Sequence, residues 1–336
     1  MRLLVLGGTV FVGRHIVEAA LARGHSVAMF NRGHEDTGAF PQVERIIGDR
    51  TGDLAALRGR QWDGVIDVSA YVPSFVDRAA RALAGACAHY AFVSTRSVYA
   101  DLLKSREEDP LAEIGDAEVA EAESLVVEGR ADAALYGPRY GALKVRCERA
   151  AALGFGDRLL VVRPGLVVGP HDPTDRFTYW VRRVARGGDV LAPGRPDRTV
   201  RFIDARDLGS WIIRSVERGL AGTFNAGGTG TTMQGMLDAC LRVSRSGARL
   251  RWADESFLLE RRVGPWNELP LWIPEDKNGF LEVADGRAMR EGLSYSALEV
   301  TTADTLAWDR ARAQAPMKAG LAEAREAELL AELPAG

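Results

Sequence analysis

The chain is 336 residues long, 46% hydrophobic and 26% charged, with a formal net charge of −3. This excludes a disordered segment, a collagen-like fibre and a disulfide-stapled miniprotein, and the length suffices for two domains with cores of their own. The small net charge gives no global field to gather nucleic acid or an anionic membrane, and three separated cysteines (Cys87, Cys147, Cys240) without a CxxC pair point to a reducing cytoplasm and no zinc site.

The start, MRLLVLGGTVFVG, has the basic residue and apolar run of a secretory leader. Glycines break the run, and Arg14 and His15 follow it without a small-residue cleavage site, so it reads as a strand. Residues 3–6, 26–30, 43–47, 64–68, 90–94 and 159–163 read as buried strands. Amphipathic runs over 16–22, 75–83 and 142–152 lie between most of them. Alternation of this kind predicts an α/β fold, a doubly wound parallel Rossmann sheet with helices on both faces. Strand-like 200–203, helix-like 207–217 and strand-like 223–226 follow. The expected division is a dinucleotide-binding domain over 1–170, completed by about 200–226, and a smaller α+β substrate lobe from 171–199 and 227–336. The lobe holds two Trp-containing loops, at Trp266 and Trp272. No stretch approaches eighteen apolar residues, so no membrane span is expected.

Two segments are biased in charge. Residues 101–135 hold eleven acids against three bases, and 176–206 hold eight arginines against three acids. Both fit solvated surfaces; the arginine stretch equally fits a wall for an anionic part of a substrate.

Gly7-Gly8-Thr9-Val10-Phe11-Val12-Gly13 follows the first strand and opens a helix. Backbone at Gly7, Gly8, Thr9, Phe11, Val12 and Gly13 would cradle a dinucleotide pyrophosphate, Gly7 and Gly8 by turning sharply and Gly13 by letting helix and strand pack closely. The usual loop has glycine where this chain has Val10, so the approach differs in detail. At the end of the second strand, an acid would favour NAD(H); this chain has Asn31-Arg32, and a guanidinium grips a 2′-phosphate, so NADP(H) is expected over NAD(H). Asp49, after the third strand, fits either an adenine amino group or a turn cap.

Tyr140 and Lys144 stand four apart at the start of a helical pattern, on one helix face. A phenol of ordinary pKa ~10 is a poor base, and a neighbouring ammonium together with the positive charge of an oxidised nicotinamide lowers that value. Such a tyrosine exchanges a proton with a substrate oxygen while a hydride moves to or from nicotinamide. Ser94 and Thr95 close the fifth strand, where a hydroxyl meets the ligand crevice and can orient the reacting oxygen. Among the remaining residues, His171 lines a crevice or sits on an exposed loop, and no histidine pair has metal spacing. Cys147 falls on the Tyr140 helix and is expected to pack rather than react.

These pieces (GGTVFVG, STRSVY, YGALKVRCE, RPGLVVGP and FNAGG) span residues 1–228. In them the chain resembles the extended and atypical branches of the short-chain dehydrogenase/reductase superfamily and is similar to NAD-dependent epimerase/dehydratase proteins. Its first loop looks most like atypical relatives with Gly-Gly-Thr-x-Phe-x-Gly, among them plastid stem-loop RNA-binding proteins and bacterial reductases. The resemblance implies Tyr140 as proton donor or acceptor, Lys144 on the nicotinamide ribose and Thr95 at the substrate oxygen. It also implies Ser69 and Ala70 against the cofactor and Pro164 and Gly165 near the carboxamide. Dehydratases have Asp-Glu where this chain has Arg96 and Ser97, so dehydration is disfavoured. The arginine that grips a sugar-nucleotide diphosphate is Val200 here, with Arg198 and Arg201 to either side, and a frequent histidine is Asp204.

The expected activity is ketone–secondary alcohol interconversion on a polar carbohydrate-, cyclitol- or nucleoside-like molecule, with Arg96, His171 and Arg201 as substrate candidates. An epimerase that retains NAD uses the same residues. A non-catalytic RNA-binding or NADP-sensing protein is the rival from another class; the intact Tyr/Lys pair and negative charge stand against it, and no nucleic-acid partner is expected. Relatives often pair through two helices flanking the sheet, which leaves a homodimer open.

Overall fold

Aliphatic runs without polar alternation form strands buried on both faces, and periodic segments between them form the covering helices. The computed structural model describes residues 1–33, 38–52, 54–103, 105–126, 133–277, 279–312 and 315–334. In chain order it opens with β1 (Arg2–Leu6), α1 (Phe11–Ala22), β2 (Ser26–Asn31), β3 (Glu44–Ile47), β4 (Trp62–Asp67), α2 (Pro73–Leu83) and β5 (Cys87–Val93). Then come α3 (Asp116–Ser124), α4 (Ala133–Tyr136), α5 (Tyr140–Phe155), β6 (Leu159–Pro164), β7 (Val167–Val168), α6 (Arg176–Arg186) and β8 (Asp189–Pro193). β9 (Thr199–Asp204), α7 (Ala205–Glu217), β10 (Gly222–Ala226), β11 (Thr229–Thr232), α8 (Met233–Ser244) and β12 (Arg249–Ala253) follow.

The chain forms two units. The first (1–165, 206–227 and 283–294) is built on a seven-stranded parallel sheet in the order β10-β6-β5-β4-β1-β2-β3. Growth of the sheet reverses at β1, which pairs with β2 on one side and β4 on the other. In an open parallel sheet that reversal leaves a crevice beyond the strand C-termini. The loops after β1, β4 and β5 all emerge at that end. Leu3, Leu4 and Val5 are fully buried, and Tyr90 of β5 stacks on Phe155 of α5 with ring centroids 3.7 Å apart.

The second unit (166–205, 228–282 and 295–336) carries a three-stranded sheet, β11-β9-β7, and a parallel pair, β12-β8. Its core holds Trp180, Phe177 and Trp272, and the Trp180 indole donates to the Pro270 carbonyl at 2.6 Å. The boundaries differ from those read off the sequence. β9 does not complete the parallel sheet; it hydrogen-bonds antiparallel to β11 and parallel to β7. Residues 283–294 return to the first unit, where the Ala284 amide donates to the Ser105 carbonyl.

The arginine-rich stretch is mostly neither a solvated face nor an open wall. Arg182 pairs with Asp309, Arg183 with the buried Glu326, and Arg198 with Glu275, all within the second unit. In the first unit, Asp116 and Glu121 of the acidic segment pair with Arg146 and Arg139.

Candidate active site

The glycine loop leaves β1 with Gly7 at φ +110° and Gly8 at φ +94°, values that L side chains rarely adopt. A Cβ on Gly13 would lie 2.7 Å from the Gly8 amide nitrogen, so the loop and the first turn of α1 touch through bare backbone. Val10 caps α1 without a side-chain hydrogen bond. Apart from Gly13, whose amide donates to the Val10 carbonyl at 3.1 Å, the N–H groups of that first turn have no side-chain cap, which suits an anion. At the end of β2, the Asn31 carboxamide oxygen accepts from the Gly33 amide at 2.9 Å, while its buried Nδ2 has no partner among the described residues. An orphaned donor at this strand end fits an adenosine ribose or its phosphate, so these residues suit a nicotinamide dinucleotide. Arg32 follows it, half-buried. Asp49 forms a turn: its carboxylate accepts from the Thr51 amide at 2.9 Å. A Gly13→Ala variant should lose about 1–3 kcal/mol of cofactor affinity by this overpacking. That is roughly 5- to 150-fold in a fluorescence titration.

The loop after β4 ties the glycine loop to α5. Asp67, fully buried, receives both terminal nitrogens of Arg50 at 2.8 and 2.7 Å and the Tyr90 hydroxyl at 2.7 Å. The Arg50 guanidinium and the Tyr90 hydroxyl hold the Asp67 carboxyl below its usual range against the opposing effect of burial. Ser69 accepts from Arg50 at 2.7 Å and donates to the Leu6 carbonyl at 3.1 Å, beside Gly7. The carbonyl of the fully buried Ala70 takes the Lys144 ammonium at 2.9 Å, and the Val93 carbonyl takes it at 2.8 Å. Sequence reasoning missed Arg50 and Asp67, whose pairing crosses from one strand end to another.

Tyr140 opens α5, half-buried, and Lys144 lies one turn on. Thr95 stands near enough to the Tyr140 phenol to lower its pKa, and it accepts from the Ser97 amide at 3.1 Å. The structure thus brings Tyr140, Lys144 and Thr95 together. The protein's own groups raise the Tyr140 pKa. Burial raises it, the neighbouring Tyr71 phenol adds to the rise, and Thr95 works against both. The Lys144 charge is instead spent on two carbonyls and sits 4.2 Å from the Phe92 ring centroid; burial lowers its own pKa.

Ser94 does not present its hydroxyl to the crevice; it donates to the buried Glu148 carboxylate at 2.5 Å. Glu148, one further turn along the Tyr140–Lys144 face, is also gripped by Arg163 at 3.0 and 2.6 Å. Arg163 reaches on to the Tyr99 hydroxyl at 3.1 Å, which donates to Asn225 at 2.7 Å. Arg96 is not offered to a substrate: buried, it donates to Ser105 Oγ at 2.9 Å and to the Leu102 carbonyl, and burial lowers its pKa to about 10. Gly165 donates its amide to the Ala226 carbonyl at 2.9 Å, next to the buried Pro164. His171 and Arg201 belong to the second unit, where the His171 ring meets Trp308 at 5.4 Å. Cys147 is buried, its thiol pushed up to about 12 by burial. Among the described residues, no cluster of three or more His, Cys, Asp or Glu could hold a metal ion, and no helix is long and apolar enough to cross a membrane.

The model of the NAD dependent epimerase/dehydratase family matches residues 3–227, which include the glycine loop, Thr95, Tyr140 and Lys144. The chain belongs to that family. It is therefore an enzyme of the extended short-chain dehydrogenase/reductase type. No curated protein matches it. Among solved structures it is similar to the UDP-N-acetylglucosamine 4-epimerase of Bacillus cereus, with 15% identity, 94% of this chain and 99% of that one covered, and a TM-score of 0.67. It is likewise similar to the UDP-glucuronic acid 4-epimerase of Bacillus cereus in complex with NAD, with 16% identity, 92% and 96% covered, and a TM-score of 0.64. A third is the dTDP-glucose 4,6-dehydratase of Bacillus anthracis in complex with NAD, with 14% identity, 94% and 98% covered, and a TM-score of 0.65. At these identities the likeness establishes the fold.

Proposed function

We propose that this family member oxidises a secondary alcohol of a sugar-like small molecule to a transient ketone and reduces it again from the other face, as an epimerase. The observation that carries the reading is Tyr140 against Thr95, with Lys144 locked one turn along the same helix. Tyr140 takes the substrate hydroxyl proton and later returns it, and Thr95 orients the reacting oxygen. Lys144, held by the Ala70 and Val93 carbonyls, stands ready for the nicotinamide ribose. A bound nicotinamide supplies the hydride acceptor and donor. Expulsion of water is disfavoured because Arg96 and Ser97 replace the acid pair of dehydratases, and the Arg96 guanidinium is tied to Leu102 and Ser105. The cellular place that suits three buried free cysteines is a reducing cytoplasm.

A second reading, an NADP(H)-dependent reductase that releases its product, is favoured by the buried Asn31 donor followed by Arg32 instead of an acid. Cofactor exchange separates the two. NAD that survives purification and resists exchange supports the epimerase, whereas an empty protein that binds NADPH reversibly and more tightly than NADH supports the reductase. Under the reductase reading, Arg32→Ala should weaken NADPH about tenfold to a hundredfold, the worth of a charge-assisted contact, and leave NADH unchanged. Equal losses for both cofactors would assign Arg32 a structural role.

A further inference from the structure

The segment after β4 engages the site residue by residue. Asp67 holds Arg50, Ser69 is tied to the Leu6 carbonyl, and the Ala70 carbonyl holds Lys144. Tyr71 is the next residue. Its ring lies 6.2 Å from that of Tyr140, tilted by 41°, and the Lys144 ammonium is 5.7 Å from its centroid. Like Tyr140, it is only half-buried. Two partly exposed phenols thus stand side by side at the C-terminal end of a parallel sheet, where ligands bind. A phenol's ring packs on apolar surface while its hydroxyl serves a polar partner.

We infer that Tyr71 contacts the substrate, its hydroxyl hydrogen-bonding an oxygen on the carbon next to the one that reacts at Tyr140, so that the site selects vicinal diols and their hydroxy-ketone partners. This inference rests on the proposed redox reading of the same site. It gives the enzyme a way to choose among alcohols that the Tyr140, Lys144 and Thr95 set lacks, because those three address a single oxygen. Tyr71 also bears on proton transfer. The groups that act on the Tyr140 phenol are Tyr71 from the β4 loop, Thr95 from the end of β5, and Cys147 from α5 itself. Tyr71 is the one among them that adds to the effect of burial with a phenol from another element.

The test uses the full-length chain supplied with NAD and NADP, and two probes, the vicinal cyclohexanediol and cyclohexanol. Nicotinamide reduction by each is followed against pH. The wild-type protein should prefer the diol about tenfold, the worth of one hydrogen bond. Tyr71→Phe, which keeps the ring, should abolish that preference and move the alkaline rise of the oxidation rate to lower pH, with cofactor affinity and melting temperature unchanged. Absence of a diol preference in the wild type, whether from equal rates or from no reaction with either probe, overturns the inference. So does a preference that survives in Tyr71→Phe, or a pH profile that does not move. Tyr140→Phe run beside it keeps the two proposals apart. If that variant retains turnover, the redox reading falls; if it is dead while Tyr71→Phe matches the wild type, only the role of Tyr71 falls.

Discussion

Replacing Tyr140 by Phe should slow hydride transfer about a hundred- to ten-thousand-fold, the usual worth of a positioned acid–base, while cofactor affinity stays within a factor of about two. The phenyl ring fills the same half-buried place at the start of α5, so only the proton is lost. Single-turnover nicotinamide absorbance reports the step, and fluorescence titration reports the cofactor. The pH dependence follows from the raised Tyr140 pKa. A pKa above the ordinary value keeps the phenol protonated through neutrality, so reduction of a ketone finds its proton donor ready and slows only in alkali. Oxidation of an alcohol needs the phenolate and speeds up as pH rises. A flat profile in both directions would show that Tyr140 does not carry the proton.

Gly141→Ala should be nearly as damaging, although the added group is a single methyl. The Cβ would lie 1.8 Å from the Ser97 carbonyl oxygen, which is backbone and has no rotamer to yield. Either the first turn of α5 or the 3₁₀ turn Arg96–Val98 must move by more than 1 Å, and these carry Tyr140 and the residues capped by Thr95. Misplacement on that scale costs about a hundredfold in rate. Overpacking adds about 1–3 kcal/mol of lost stability. Thermal melting should show the second effect and turnover the first. A variant that melts lower but turns over normally would mean that the Tyr140–Thr95 contact does not limit the reaction.

The glycine residues show where sequence reasoning was strong and where it stopped. Gly7, Gly8 and Gly13 are recognisable because their spacing falls between a strand and a helix, within one local stretch of chain. Gly141 carries an equally strict requirement, but its neighbour Ser97 comes from another loop, and no local pattern announces it. The same division runs through the charged residues. Tyr140 and Lys144 share a helix face by period alone, yet what Lys144 holds lies 51 and 74 residues away. Arg163 and Glu148 belong to a strand and a helix that each looked ordinary; the sheet brings them together under the catalytic face.

By itself, the sequence determined the alternating strands and helices, the glycine turn between β1 and α1, and the placing of Tyr140 and Lys144 on one helix face. These follow from periods of two and 3.6 residues and from backbone freedom at glycine, which act over a few neighbours. Only the tertiary structure decided that β9 joins the smaller sheet, that the arginine stretch is largely spent on acids as distant as Asp309 and Glu326, and that burial raises the Tyr140 pKa. Those outcomes depend on strand order and burial. A carboxylate, a guanidinium or a phenol takes its charge state from whatever the fold sets against it, and adjacency in the chain does not record that.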